Sequence, residues 1–315
     1  METFTYISPI AMTDTVQVID RPVTKQSKTK TTGKAAKVHK REAQIKELQA
    51  GIDKMVTDYM NGAGYVKWLK FVTRFHSYSL RNVMLIMSQR PTATRVAGYK
   101  TWLSMGRRVR KGEHGLRIVG YRPYRFMVDE DADPDDPKNY RVGASYPLVS
   151  VFDISQTEVV NADKWNSVSD GADKRLTGED AAGVFDRVRE WLTGEGWTVT
   201  LEPIAGEMNG YTAHETKRVV IDSEMEPAQR AKTILHEAAH AVMHGDVDYM
   251  HERARCEVEA ESTSYIVASL IGMDTTQYSE HYLMSWGART PELFKETAQA
   301  VIKAVGMLCD GLKIA

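Results

Sequence analysis

Apolar residues recur at helical spacing in AQIKELQAGIDKMVTDYM, from Ala43 onward, where Ile45, Leu48, Ile52, Met55, Val56 and Met60 share a face. YVKWLKFVTRFHSYSLRNVMLIMSQRP continues as two helices with a break at HSYS; Ser79 is a candidate cap, and the second helix stops before Pro91. YKTWLSMG adds a short helix that Gly106 can close in the left-handed conformation. Beyond RRVRKGEHG the period becomes that of strands: LRIVGYRPYRFMV (116–128) and YPLVSVFDISQT (146–157) are rich in β-branched and aromatic residues. The intervening DEDADPDDPKN reads as an acidic surface insertion, since the Gly and closing Glu of a calcium loop are missing.

The pattern resumes with a helix in TGEDAAGVFDRVREWLTGEG, for which Thr177 and Asp180 offer a capping start. TVTLEPI and GYTAHETKRVVID follow as strands, the latter bending at HETK. Pro227 opens a helix that Gly245 should end, EVEAESTSYIVASLIG forms a second, and PELFKETAQAVIKAVGMLCDGL a third that is amphipathic. Helices and strands thus mix in both halves, which predicts an α+β chain of two domains, residues 43–160 and 177–315. Residues 161–176, NADKWNSVSDGADKR and its end, read as the linker. Residues 1–42 read as a basic disordered tail, because the run from Arg21 to Arg41 has few large apolar residues.

Composition narrows the setting. The chain has 315 residues, 42% of them hydrophobic, and no apolar run long enough to span a bilayer. METFTYISPIAMTDTVQVIDRPV lacks the layout of a secretory signal, and the only cysteines are Cys256 and Cys309, so a reducing cytoplasm is expected and no disulfide framework. The net charge of −1 conceals a division: residues 1–125 hold 24 Lys+Arg against 8 Asp+Glu, and the remainder 17 against 34. A front half this basic is built to meet an anion, and nucleic acid gains affinity from such charge by releasing counterions.

The chemistry concentrates in ILHEAAHAVMHG (234–245). His236 and His240, four apart, lie on one helix face within reach of a single ion, and the apolar residues around them make an unpartnered pair costly. A third ligand is expected from CEVEAESTSY: Glu259, 19 positions after His240, is the choice, with Glu257 and Glu261 as alternatives and Glu261 otherwise an acceptor for a histidine N–H. Two nitrogens and one carboxylate leave a position open to water, the arrangement of a catalytic zinc site, although other divalent metals suit it too. Glu237, beside His236, is placed to take a proton from that water. His244 reads as a helix-end cation, His214 and His251 carry no assigned role, and Tyr249, His281 and Tyr282 are candidate oxyanion donors.

Taken together, YSLRNVMLIMSQRP, VAGYKTWLSMGRRVRKGEHG and VFDISQT in the first half and ILHEAAHAVMHG, EVEAESTSYIVASLIGMD and YSEHYLMSW in the second resemble ArdC-type antirestriction proteins. The second set also resembles the ImmA/IrrE peptidases. The resemblance spans residues 43–290 and implies a single-stranded-DNA-binding domain joined to a zincin-like metallopeptidase domain, protecting incoming plasmid or phage DNA from restriction nucleases. On that reading Arg81, Lys100, Arg107, Arg108, Arg110 and Lys111 meet phosphates, and Tyr78, Tyr99 and Trp102 are available to stack on bases, core packing being the alternative for Trp102. In GRRVRKGEHG, flanking glycines let the backbone approach a ligand. A second reading is a zinc metallopeptidase that cleaves a regulatory protein and is brought to DNA by the basic domain.

Overall fold

The computed structural model describes residues 31–127, 139–169, 183–206, 208–273, 279, 283 and 286–314. Residues 129–138 of the acidic insertion, the rest of the expected linker beyond Ser169, and Thr177, Asp180, His281 and Tyr282 lie outside these described residues. The chain divides into two units, Met1–Ala50 and Gly51–Ala315.

Helix α1 (Thr31–Tyr59) begins inside the run expected to lack structure. Alanine and lysine are good helix formers, and each residue added to an existing helix costs little, so the turn structure extends back into the basic segment. Two further helices follow, α2 (Gly62–Arg74) and α3 (Leu80–Gln89). Ser79 caps α3 by accepting the Asn82 amide, as its position before the apolar run predicts. Strand β1 (Val96–Ala97), helix α4 (Tyr99–Ser104) and strand β2 (Arg107–Val109) follow. Gly106, between α4 and β2, sits at φ +81°, and a side chain there would meet the Asn161 carbonyl at 2.4 Å. Only glycine closes the helix so tightly.

The next strands are β3 (Leu116–Val119), β4 (Arg122–Met127), β5 (Tyr140–Ser145), β6 (Leu148–Asp153) and β7 (Thr157–Val159). β6 pairs antiparallel with β1 on one side and β3 on the other, β2 pairs with β7, and β4 with β5 form a separate two-stranded ribbon. Part of the segment read as linker is helical, α5 (Ala162–Ser169). Beyond it come α6 (Val184–Gly194), then β8 (Thr198–Glu202), β9 (Gly210–Ala213) and β10 (Arg218–Asp222). In this second sheet β10 is central, parallel to β8 and antiparallel to β9, so β9 is an edge.

There follow α7 (Pro227–Met243), α8 (Tyr249–Leu270) and α9 (Pro291–Leu312). Pro227 stands at the start of α7, where a missing N–H is harmless. α7 packs on α8, and α8 in turn on α9 and α2. The core of unit Gly51–Ala315 is aromatic where these helices meet: Tyr65 stacks on Trp68 at 5.4 Å, and Phe294 stands edge-on to Trp68 at 5.6 Å. Fully burying each such ring contributes on the order of 2–3 kcal/mol. The α+β architecture therefore follows the hydrophobic periods, and α8 packs against both α2 and α7.

Candidate metal centre and basic surface

α7 must bury Ile234, Leu235, Ala238 and Ala239, and its packing on α8 carries His236 and His240 to the same interface. The two Nε2 atoms lie 3.1 Å apart. Glu257 of α8 brings its carboxylate to 3.4 Å from His236 Nε2 and 3.8 Å from His240 Nε2. Ligands bound at about 2.0–2.1 Å to a tetrahedral ion stand roughly 3.3 Å from one another. The donor set and its spacing thus fit a divalent cation, and His236, His240 and Glu257 form the cluster able to hold one.

Glu259, the ligand expected from the sequence, does not join them. Its side chain is 3% exposed and turns to His244 Nε2 at 3.2 Å and to Arg255 Nε at 2.9 Å. The reason is the helical period: Glu257 and Glu261 stand four apart on the face that meets the motif histidines, whereas Glu259 is rotated by about 200° from Glu257 at 3.6 residues per turn. Glu261 Oε2 lies 3.1 Å from His236 Nδ1, and Lys232 pairs with the other Glu261 oxygen at 3.2 Å. Tyr249 donates its hydroxyl to Glu257.

The charges oppose one another across this small space. Burial pulls the His236 imidazole down, but Glu257 and Glu261 outweigh it and raise its pKa to about 10. Burial, reinforced by the neighbouring His236 charge, lowers His240 to about 3. Burial would raise both carboxyls, yet the hydrogen bonds from His236, with Tyr249 on Glu257, bring Glu257 and Glu261 to about 2. Without a metal, the centre therefore carries one imidazolium among carboxylates, and that proton occupies the charge a cation would supply. Glu237 is buried, accepts the Thr212 hydroxyl at 2.7 Å from edge strand β9, and has its pKa raised by burial. A carboxyl of raised pKa beside such a cluster is suited to proton transfer near neutrality.

On the basic surface, Trp102 corrects one expectation. It is 0% exposed and donates its indole N–H to the Phe152 carbonyl at 2.8 Å, so it is a core residue and no base can reach its face. A short helix that packs on β6 must bury its largest side chain. Tyr78 is half-buried and donates to the Val96 carbonyl at 3.3 Å. Arg107 donates to Thr157 at 2.7 Å and lies 4.5 Å from the Trp165 ring centre. Arg108 pairs with Glu158 at 2.7 Å and Arg110 with Glu113 at 3.0 Å, which offsets part of the cluster's charge. Arg81, Lys100 and Lys111 are exposed.

The β4–β5 ribbon, not singled out by the sequence reading, holds a group of exposed aromatics, and Tyr99 on α4 is likewise 48% exposed. Tyr121, Tyr124, Phe126 and Tyr146, on and beside it, are 45–49% exposed. Arg122, Tyr124 and Phe126 alternate onto one face, with Arg141 opposite Phe126, and Tyr124 lies over Gly143 where any side chain would strike its ring. Alternation of aromatic and arginine with no apolar partner face was the available signal.

Residues 37–152 match the family model for the N-terminal domain of anti-restriction factor ArdC, and residues 195–304 match that for the IrrE N-terminal-like domain. The chain thus joins a segment like the N-terminal domain of ArdC to one like the IrrE N-terminal domain. A Bacillus anthracis protein designated pXO2-81, itself uncharacterised, is 28% identical over 283 residues, covering 78% of this chain and 48% of the relative. The chain thus spans about half the length of the curated relative it matches. Among solved structures it is similar to the antirestriction protein ArdC from plasmid R388, metal-free (18% identity, TM-score 0.46, 75% of this chain and 85% of that one). The Mn(II)-bound form gives 17% identity, TM-score 0.49, and coverage of 84% and 97%. No helix among the described residues is long and apolar enough to cross a membrane.

Proposed function

We propose that this protein is a single-stranded-DNA-binding antirestriction factor of the ArdC type from a plasmid or phage, acting in the cytoplasm, with a zinc-binding second domain. The observation that carries the reading is the ribbon of exposed aromatics interleaved with Arg122, Arg125 and Arg141 inside the segment that matches the ArdC N-terminal domain. Unpaired bases offer faces to such rings, and the phosphates between them meet the arginines. A duplex keeps its bases stacked and cannot use the rings. The test is binding of the full chain to single- and double-stranded oligonucleotides over a salt series. Preference for single strands that weakens with salt supports the reading; equal affinity for both forms, or none at low salt, removes it.

The metal of the second domain is assigned to His236, His240 and Glu257, with zinc as the ion expected for two imidazoles and a carboxylate. An ion held there supplies Lewis-acid chemistry, polarising a carbonyl and acidifying water. Glu237 would take up a proton released there, Thr212 holds its carboxylate in place, and Tyr249 steadies Glu257.

A second reading, a zinc metallopeptidase acting on a regulatory protein, draws on β9. This strand is the edge of its sheet and carries Thr212 beside Glu237, so an extended peptide added to that edge would run past the centre. Cleavage of a partner protein that is lost in Glu237→Gln while zinc content is kept would favour it.

A further inference from the structure

The last turns of three helices meet at one cavity of about 650 Å³. Trp191 and Leu192 belong to the end of α6, Ala241 and Val242 to that of α7, and Asp310 and Gly311 to that of α9. Ala241 and Val242 are turned by about 100° and 200° from His240, so the cavity opens on a different face of α7 from the metal centre. Each helix end presents a partial negative charge, and α6 and α9 have no basic residue in that turn. Arg187 takes up one of these carbonyls, that of Leu312.

Two indoles wall the cavity, and each is held by a neighbour. The Trp191 ring lies against Gly311, where any side chain would strike it. Trp197 stands edge-on to His214 at 5.4 Å. It is nine-tenths buried, yet its indole N–H has no hydrogen-bond partner among the described residues, a donor left for a carbonyl oxygen. Glu195, Asp246 and Asp310 line the same space and are exposed, and none has an ion pair or side-chain hydrogen bond among the described residues. Against them stand Lys217 and the His214 imidazole. Carboxylates placed at helix C-termini add to the negative potential that the helix ends already make, and the indole faces beside them attract cations as well.

We propose that this cavity binds a basic peptide segment, its arginine or lysine side chains lying on the two indoles and pairing with Glu195, Asp246 and Asp310. Three carboxylates carried by different elements match successive basic residues better than a single one. The volume falls within the roughly 300–1,000 Å³ of ligand pockets and exceeds what one side chain fills, which favours a length of chain over a lone small cation. The Trp197 N–H then serves the segment's backbone. The site stands apart from the metal reading, because neither indole and none of the three carboxylates belongs to the cluster of His236, His240 and Glu257.

The experiment uses the full chain labelled with ¹⁵N at its six tryptophans, the indole signals of Trp191 and Trp197 being assigned by their loss in Trp191→Phe and Trp197→Phe. Titration with acetyl-Arg-Lys-Arg-amide should move both signals to saturation, and acetyl-Glu-Asp-Glu-amide should move neither. Affinity for the basic tripeptide should fall by about 3–20-fold in Asp246→Asn/Asp310→Asn, since two exposed ion pairs are lost. Glu224→Gln, which removes an exposed carboxylate elsewhere, should leave it unchanged. Both indole signals unmoved at millimolar tripeptide overturn the proposal on the wild type alone. So does wild-type affinity in the double variant. Spermidine binding as tightly as the tripeptide overturns the choice of a peptide as occupant.

Discussion

The Tyr65 hydroxyl lies 3.0 Å from Ser262 Oγ, joining α2 to α8 across 197 positions of sequence. Both groups are buried, and Ser262 lies next to Glu261, whose carboxylate meets His236. The helix that supplies carboxylates to the centre is thereby also held by the segment that matches the ArdC N-terminal domain. Tyr65→Phe should lower unfolding stability by about 1–3 kcal/mol, because the ring still fills its place and only a buried hydroxyl loses its partner. Urea denaturation with an unchanged slope and a shifted midpoint checks it.

Glu257 and Glu237 should separate by experiment. Glu257→Ala removes a donor from the cluster and should abolish stoichiometric zinc, whereas Glu237→Gln should keep it. Metal analysis of purified variants distinguishes them; full zinc content in Glu257→Ala would falsify the ligand assignment.

Trp102 predicts a loss of stability in place of a loss of DNA contact. Trp102→Phe keeps most of the packing but leaves the Phe152 carbonyl without its donor, which costs about 1–3 kcal/mol. DNA affinity of the folded variant should match the wild type. By contrast, Tyr124→Ala and Phe126→Ala should each weaken single-strand binding by about 1–3 kcal/mol, as lost stacking does, with little effect on stability from such exposed sites. Titration of fluorescent oligonucleotides reads both.

Metal-free protein should be most stable near pH 6.5. The folded pKa of His236, raised from 6.5 to about 10, gives stability that is full below 6.5 and lost as pH rises toward 10. His240, lowered from 6.5 to about 3, gives stability present above 6.5 and lost as pH falls toward 3. Glu257 and Glu261, lowered from 4.5 to about 2, add to the acid loss below 4.5. Denaturation midpoints in chelator from pH 3.5 to 9.5 should trace this bell. His236→Gln should flatten its alkaline side; an unaltered alkaline limb would refute the assignment.

What the sequence determined by itself was local. Ser79 capped the helix that began after it, Gly106 closed α4, and Pro227 opened α7, because each acts through its own backbone angles and nearest amides. His236 and His240 were legible for the same reason: a spacing of four within one helix is a geometric statement. The third carboxylate was not. Three glutamates alternate along α8, and which of them meets the histidines depends on how that helix is rotated against α7, set by residues as distant as Tyr65. The same limit governs the surface. An aromatic side chain has the same letter whether it fills a core or faces water, so the burial of Trp102 and the exposure of Tyr124 were decided only when α4 packed on β6 and the β4–β5 ribbon was left with open faces.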